Sequence, residues 1–242
     1  MNRRVARERC AAWERMHRHY FPDYHERWQE VIDVLTERYG ARDAPRILDL
    51  GCGPGTLTHL LHRSLPQATV IGIDADPLLI ELARRAHGWG RGLVFHPVRL
   101  FHPVSAGDAG GGGALQGLGR FDAIVSSAFM HYFDVAALRE LHRALRGILR
   151  PEGVLLTVEL FAETSGDRSP VGEEAPAGAE EDPWARWWEQ THALFPRHPA
   201  PLHEEPAPPL TAEAYREVLA DSGFTTRESR RTGASRLVVG TP

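Results

Sequence analysis

The sequence predicts an α/β protein with a mostly parallel β-sheet and helices on both of its faces. The first observation is a short apolar run at residues 47–50, which is typical of a strand buried on both faces of such a sheet. A glycine-rich turn and an apolar helical pattern follow this run directly. The second observation is that strand and helix patterns alternate as far as residue 160, and the third is a pair of strand patterns at the chain end.

The composition narrows the possible chemistry. The net charge of the 242 residues is −4, which argues against a general attraction to nucleic acid or to an anionic membrane. All 28 basic residues are arginine, and this excludes Schiff-base and pyridoxal phosphate chemistry, which needs a lysine. Two cysteines do not make a disulfide framework, and the sequence has no apolar run of signal or membrane-spanning length. We therefore expect a soluble, cytoplasmic protein.

The turn after the first strand pattern carries the most specific motif, DLGCGPG at residues 49–55. A strand, a glycine turn and a helix together let backbone amides approach a nucleotide-like ligand. A dinucleotide site would have its third glycine one position later, and this argues against a nicotinamide oxidoreductase. The motif and the segment IGIDADP at residues 71–77 resemble those of class I S-adenosylmethionine (SAM) dependent methyltransferases. The resemblance implies a Rossmann-like sheet of seven strands, with SAM as the cofactor.

The resemblance also implies a cofactor site around the glycine turn. Asp74 ends the second strand pattern, where a carboxylate with four lone-pair sites can accept hydrogen bonds from both ribose hydroxyls. Asp76, followed by Pro77, is instead predicted to cap a helix. The residues predicted to bind the cofactor are Asp49, Gly51, Cys52, Gly53, Gly55, Asp74, Ala75, Arg99 and Ser126.

Arg99 departs from the family pattern. The family usually has an acidic residue after the third strand, which accepts a hydrogen bond from the adenine amino group. A guanidinium group has donors only and cannot make this bond. Three explanations stay open: Asp108 takes over from the glycine-rich loop, adenine is held by backbone and stacking, or SAM is no longer used. In the third case Arg99 would bind an anionic group of an acidic substrate.

Residues 1–44 are predicted to form an N-terminal helical pair. An apolar stripe in the second helix suits packing on the edge of the sheet, which is the purely structural interpretation. In many proteins that this segment resembles, the helical pair folds over the cofactor and contributes to the substrate cavity. Tyr20 and Tyr24, in the aromatic join between the helices, are therefore candidates for that cavity.

Two further polar residues follow strands at the edge where open α/β sheets bind ligands. His131 lies in an aromatic loop after the fourth strand pattern. It is either a packed side chain or a general base or hydrogen-bond partner for the substrate. Glu159 ends the fifth strand pattern, which follows a predicted turn at residues 151–153. It can reach the substrate cavity, or it serves as a cap or an ion-pair partner. His131, Glu159 and Tyr20 are the predicted catalytic residues.

The rest of the chain is predicted to cover and complete a core formed by residues 45–160. Residues 161–209 contain half of the 18 prolines and a helical stretch with three tryptophans. A tryptophan cluster is costly to leave in water, so we expect a lid over the substrate pocket, with sheet packing or a dimer contact as alternatives. Residues 210–242 read as a helix and a hairpin that complete the sheet.

These features predict a SAM-dependent methyltransferase that acts on oxygen, nitrogen or carbon of a small organic molecule. The Asn/Asp-Pro-Pro-Tyr/Phe signature of nucleic-acid and protein amide methyltransferases does not follow the fourth strand. Serines stand there instead, and they are poor Mg²⁺ ligands, so no metal is expected. The expected partner is a small molecule, without nucleic acid or membrane, and the chain is expected to be a monomer or homodimer. The alternative is a methyltransferase-like fold used for non-methylating catalysis or binding.

Overall fold

The computed structural model describes residues 1–20, 23, 25–40, 44–100, 114–163, 182–198, 207–232 and 235–242. In this part of the chain seven strands form one sheet in the order β3-β2-β1-β4-β5-β7-β6. The first five strands in the chain pair in parallel, whereas β7 is antiparallel to both β5 and β6. The predicted mostly parallel, seven-stranded sheet is therefore confirmed. The strands are β1 (Arg46–Leu50), β2 (Thr69–Asp74), β3 (Leu93–Pro97), β4 (Phe121–Ser127), β5 (Leu149–Glu159), β6 (Thr225–Thr232) and β7 (Ser235–Thr241).

Several helices begin at short polar side chains that cap them. Asp76, Asp134, Asp182 and Thr211 each accept a hydrogen bond from a backbone N–H in the first helical turn. None of the described helices is both long and apolar enough to cross a membrane. The helices are α1 (Arg3–Tyr20), α2 (Glu26–Tyr39), α3 (Thr56–Ser64), α4 (Pro77–His87), α5 (Val135–Ile148), α6 (Pro183–His192) and α7 (Ala212–Asp221), with a 3₁₀ turn at Met130–Tyr132.

The sheet separates two apolar layers because successive side chains of a strand point to opposite faces. On one face Leu48 and Leu50 pack with α5 and α7, and on the other face Ile47 packs with α2 and α3. Helices therefore cover both faces of the sheet, as predicted. This arrangement leaves the glycine turn after β1 and the loop after β4 side by side at one edge.

A third apolar cluster joins α1, α4 and α6. Trp187 and Trp188 of α6 are buried against Trp13 and Met16 of α1. The indole N–H of Trp187 also donates to the carbonyl of Arg9 at 3.1 Å. The tryptophan-rich stretch is thus packed on the N-terminal helix, and its role as a lid stays a prediction.

The predicted turn at residues 151–153 is wrong, because β5 runs through it. Phe121 pairs with Leu149 and Ala123 pairs with Val154, so the ladder between β4 and β5 is irregular at this point. Residues 150–153 have no partners in β4 and bulge out of the ladder, and this suits Pro151, which has no N–H to donate.

Candidate active site

Two glycines of the turn after β1 are required by close packing. Gly51 and Gly55 have φ of +69° and +79°, a region that residues with side chains avoid. A Cβ on Gly51 would lie 2.3 Å from Cδ2 of Phe129, and one on Gly55 would lie 2.5 Å from Cε1 of Phe95. These glycines let the turn contact the loop after β4 and the side chains of β3.

Gly53 is buried in the turn and lies beside α1. A Cβ there would meet the Trp13 ring of α1 at 3.5 Å, which is an ordinary contact. The N–H of Gly53 donates to Oδ2 of Asp74 at 2.9 Å, and the N–H of Asp76 donates to Oδ1 at 2.9 Å. Asp74 therefore holds the glycine turn against the loop that leads into α4.

Asp49 and Cys52 lie beneath the turn. The Asp49 side chain is 2% exposed, and its Oδ2 accepts a hydrogen bond from Oγ1 of Thr58 at 2.6 Å. Burial, together with the charge of Asp74, raises the pKa of Asp49 to about 7. Burial also raises the pKa of the Cys52 thiol well above its ordinary value, so this residue is a neutral packing group. Both side chains fix the turn to the elements around it.

The remaining predicted cofactor residues surround the same edge. Ser126 is fully buried, its Oγ has no hydrogen-bond partner, and it pairs in register with Leu50, the last residue of β1. Ala75 is half-buried beside Asp74, and Arg99 is exposed beyond the end of β3. Asp108, the possible substitute for the missing adenine acceptor, lies outside the described residues.

The loop after β4 begins with a strained residue. Ala128 has φ of +53° and is the sole non-glycine residue with positive φ in the described ranges. Such a conformation costs energy unless the surroundings impose it, and outliers of this kind cluster at functional sites. The N–H of Ala128 donates to the carbonyl of Val158 at 2.9 Å, which fixes the start of the loop on β5.

His131 and Glu159 come together as a buried pair. Nδ1 of His131 lies 3.1 Å from Oε2 of Glu159, and the two side chains are 9% and 3% exposed. Oε1 of Glu159 also accepts the N–H groups of Phe129 and Met130 at 2.5 and 2.6 Å. Nε2 of His131 is buried and has no hydrogen-bond partner. Glu159 thus caps the backbone of this loop and is a hydrogen-bond partner of His131, while His131 presents one unused ring nitrogen.

Helix α1 covers the glycine turn from above. Besides the Trp13 contact, Oε1 of Glu14 accepts a hydrogen bond from Oγ1 of Thr56 at 3.2 Å. Tyr20 is the last residue of α1, and its side chain lies outside the described part of the structure, as does the whole of Tyr24. The structure therefore places the backbone of Tyr20 but not its ring.

Three residues near this edge were missed by the sequence interpretation: Trp13, His17 and Arg27. Trp13 stacks on His17 with ring centroids 4.4 Å apart, and Arg27 is 1% exposed at the start of α2. A signal for Arg27 was present in the sequence, because it stands four residues before Val31 on the buried stripe of its helix. No local sequence pattern indicated that His17 lies near this edge.

A family model described as a methyltransferase domain matches residues 16–229. The chain belongs to this family. The match confirms the class I SAM-dependent methyltransferase resemblance, and with it SAM as the cofactor. The alternative of a fold that no longer uses SAM therefore has no support from the comparison.

Curated relatives of the methyltransferase domain match over part of their length. The trans-aconitate 2-methyltransferase of Streptomyces coelicolor is 34% identical over 148 residues, covering 48% of each chain. The malonyl-[acyl-carrier protein] O-methyltransferase of Halalkalibacterium halodurans is 31% identical over 135 residues, covering 52% of this chain and 44% of that protein. The chain thus spans about half the length of these relatives.

Solved methyltransferase structures share the fold at low sequence identity. An O-methyltransferase family protein from Burkholderia thailandensis superposes with a TM-score of 0.56 at 22% identity, over 88% of this chain and 55% of that chain. A TehB-like SAM-dependent methyltransferase from Corynebacterium glutamicum gives a TM-score of 0.53 at 16% identity, over 90% and 88% of the two chains. These likenesses establish the architecture of the domain.

The residues at the edge of the sheet fit the cofactor of the family. Gly53 lies against Trp13, and a Cβ at this glycine would make only ordinary contacts, the nearest at 3.5 Å. The buried Oγ of Ser126 is an unsatisfied polar atom next to the same turn, and such atoms normally have a partner. Among the described residues, no group of histidine, cysteine and acidic side chains is arranged to hold a metal ion.

Proposed function

We propose that this protein transfers the methyl group of SAM to an oxygen atom of a small organic molecule, with His131 as the general base. The observation that carries the proposal is the environment of the His131 ring. A carboxylate only accepts hydrogen bonds, so the contact with Glu159 assigns the ring proton to Nδ1. The lone pair is then on Nε2, which is buried and has no protein partner.

This arrangement suits removal of a proton from a hydroxyl group. Bound SAM supplies an electrophilic methyl group on a positively charged sulfur. His131 accepts at Nε2 the proton that the attacking hydroxyl loses, and Glu159 stabilises the resulting imidazolium. Because both side chains are buried, water is excluded and the interaction between the two charges is stronger than it would be at the surface.

The names of similar proteins also support an oxygen acceptor. The relative from H. halodurans is an O-methyltransferase, and the structure from B. thailandensis is that of an O-methyltransferase family protein. The proposed partner is a small molecule, because the net charge of −4 offers no general attraction to nucleic acid or an anionic membrane. We propose a cytoplasmic protein, with both cysteines free, as a monomer or homodimer.

The cofactor site and the lid belong to the same proposal. The chain segments that would hold SAM are the glycine turn, the end of β2 and the end of β4, and Tyr20 would lie near the substrate. Helix α6, which lies within residues 161–209, would cover the substrate pocket. The proposed cofactor residues are Asp49, Gly51, Cys52, Gly53, Gly55, Asp74, Ala75, Arg99 and Ser126.

Transfer of tritium from methyl-labelled SAM to a panel of hydroxylated small molecules tests the activity directly. In the His131→Asn variant we expect turnover to fall by about 10²–10⁴ fold, the usual range for loss of a general base. SAM affinity, measured by calorimetry, should be unchanged because the glycine turn is intact.

His62 offers a matched control at the opposite end of the sheet. Its Nδ1 is also buried without a partner, but it lies next to Gly92, before the start of β3. The His62→Asn variant should keep normal turnover. Near-normal turnover of His131→Asn would show that His131 is not the general base. A wild-type protein that does not bind SAM at millimolar concentration would overturn the proposed methyl transfer itself.

A further inference from the structure

A group of basic side chains lies on the surface where α1 meets the end of α4. Nε of Arg3 and Nε of Arg7 both donate to the carbonyl of Ala86, at 3.4 and 3.1 Å. One carbonyl thus holds two exposed guanidinium groups side by side. The other nitrogens of the two groups have no hydrogen-bond partner among the described residues. Both arginines can therefore offer donors to a ligand.

Two stacked histidines extend this group onto α3. The rings of His59 and His87 have centroids 4.7 Å apart and planes at 25° to each other. Nε2 of His87 lies 3.1 Å from the carbonyl of Pro54 in the glycine turn and donates to it, because a carbonyl only accepts. Nδ1 of His59 is buried and has no partner in the described part of the chain, although such atoms normally have one. The two rings are thus held in place, and one polar atom is left unsatisfied.

The side chains that shift the pKa values of these two histidines through their charge are all basic. Burial lowers the pKa of His87 to about 4, and the positive charges of Arg3 and Arg7 act in the same direction. Burial also lowers the pKa of His59, and there the charge of Arg63 contributes as well. We call these five side chains the basic cluster. Their shared positive field favours an anion at this surface.

The acidic side chains of the surrounding helices are bound to other groups. Glu8 forms an ion pair with Arg4, which also belongs to α1. Glu81 of α4 forms one with Arg85 at 2.6 Å. Oε1 of Glu14 accepts a hydrogen bond from the first residue of α3 at 3.2 Å, and α3 itself contains no acidic residue. Among the described residues of these three helices, no carboxylate forms an ion pair with the basic cluster.

We infer that the basic cluster binds the phosphate group of a small phosphate ester, at a site separate from the cofactor site and from His131. The planar fork of a guanidinium group matches two oxygens of a phosphate. A phosphate ester carries a charge of about −1.5 to −2 near pH 7, which suits three arginines better than the single charge of a carboxylate does. The inference does not rest on the proposed methyl transfer.

An open groove along α1 adjoins the basic cluster and can take the organic part of the ester. Its volume is about 460 Å³, and it is lined by Arg3, Arg4, Arg7, Glu8 and Ala11. Pockets for small molecules commonly measure about 300–1,000 Å³. The groove therefore has room for a small molecule whose phosphate lies at the two arginines.

Calorimetry at constant ionic strength tests this inference on the full chain saturated with S-adenosylhomocysteine, the product that SAM leaves after methyl transfer. A phosphate bound at the glycine turn, where α3 begins, would be displaced by this ligand, whereas one at the basic cluster would stay. The probes are phenyl phosphate and benzoate. We expect phenyl phosphate to bind with a dissociation constant of about 1 mM or lower, and at least about 10 times more tightly than benzoate.

Three variants locate the bound phosphate. Arg7→Gln should weaken binding of phenyl phosphate by about 5–20 fold, because one fork is lost. Arg63→Gln should weaken it by about 2–3 fold, since this exposed residue contributes its charge alone. Arg63 makes no hydrogen bond or ion pair among the described residues, so we expect this variant to keep the melting temperature of the wild type. Arg15→Gln removes an equally exposed arginine of α1 and is the control that should leave binding unchanged.

Several results would contradict the inference. They are the absence of phenyl phosphate binding at millimolar concentration, its loss when S-adenosylhomocysteine is added, and equal binding by the wild type and Arg63→Gln. Sedimentation with phosphatidylglycerol vesicles that depends on Arg7, without binding of phenyl phosphate, would indicate a membrane surface in place of the small-molecule site. Phosphate binding that depends on the basic cluster supports the inference whether or not the assay with labelled SAM detects methyl transfer. The two proposals can therefore fail independently.

Discussion

Glu159 links the conformation of a loop to the chemistry of a base. Its Oε1 holds the N–H groups of Phe129 and Met130, and its Oε2 sets the tautomer of His131. A glutamine at this position could still accept the two backbone hydrogen bonds. Its amide NH₂ would then face Nδ1 and favour the wrong tautomer. The carboxylate is therefore needed for the tautomer, and the loop alone does not require it.

The glycines of the turn allow a test of packing against backbone strain. Gly51 and Gly53 both have positive φ, so alanine at either position carries a backbone cost of about 1–2 kcal/mol. At Gly51 the new Cβ would also collide with Phe129 at 2.3 Å, whereas at Gly53 it meets Trp13 at 3.5 Å. We expect Gly51→Ala to lower the free energy of unfolding by about 2–4 kcal/mol and Gly53→Ala by about 1–2 kcal/mol.

Denaturation in urea, followed by circular dichroism, measures both losses. The slope of the free energy with denaturant should be similar in the two variants, since neither changes the surface exposed on unfolding by much. Equal losses for Gly51→Ala and Gly53→Ala would mean that the Phe129 ring moves aside without cost.

At the scale of elements, α6 and α1 form one aromatic unit above the glycine turn. The Trp13 ring lies 5.0 Å from that of Trp184 and 4.7 Å from that of Trp187, measured between ring centroids. The same Trp13 ring would be 3.5 Å from a Cβ at Gly53. We therefore expect a ligand at the turn to change the surroundings of Trp13 and, through Trp13, those of the tryptophans of α6.

Tryptophan fluorescence should report this coupling. We expect SAM to change the emission of the wild-type protein, because the cofactor alters the surroundings of Trp13. The change should persist in Trp89→Phe, since Trp89 is 69% exposed and is not part of the cluster. It should be largely lost in Trp13→Phe, while calorimetry confirms that SAM still binds. An undiminished change in Trp13→Phe would separate the cluster from the cofactor site.

Local signals in the sequence were sufficient for most elements. Asp76 caps a helix as predicted, because a cap is read from neighbouring residues. The pairing of His131 with Glu159 could not be read in this way, since His131 follows β4 and Glu159 ends β5, and the two meet only in the folded sheet. Both roles suggested for Glu159 therefore stayed open until its contacts were known.

Residues in an environment that is unusual for their type were the hardest to predict. The sequence interpretation did not single out Arg27, although its spacing puts it on the buried stripe of α2. The position of Trp13 depends on packing between α1 and α6, which are far apart along the chain. The turn predicted at residues 151–153 lies within β5, where the ladder to β4 is irregular, and no local pattern shows that this strand begins at Leu149.

For the whole molecule, buried titratable groups determine how stability depends on pH. Burial lowers the pKa of His17 to about 3 and those of His87 and His142 to about 4, below the ordinary value near 6.5. As the pH falls from 6.5, these histidines gain protons in the unfolded chain before they do so in the folded protein, and stability is lost. Asp49, with a pKa raised to about 7, acts in the opposite direction, because the folded protein keeps a proton that the unfolded chain has released.

Between about pH 4.5 and 6 the unfolded chain therefore binds about two more protons at these groups than the native protein does. We expect the free energy of unfolding to decrease by about 2.7 kcal/mol for each pH unit of acidification from these groups. His142→Gln should reduce this slope by about 1.4 kcal/mol per pH unit, because one titrating group is removed while the amide can still bond to Tyr215. Urea denaturation at several pH values measures the slope, and the exposed His96, changed to glutamine, is the control that should leave it unchanged. If the His142→Gln slope equalled that of the wild type, the histidine would be protonated in the folded protein as readily as in the unfolded chain.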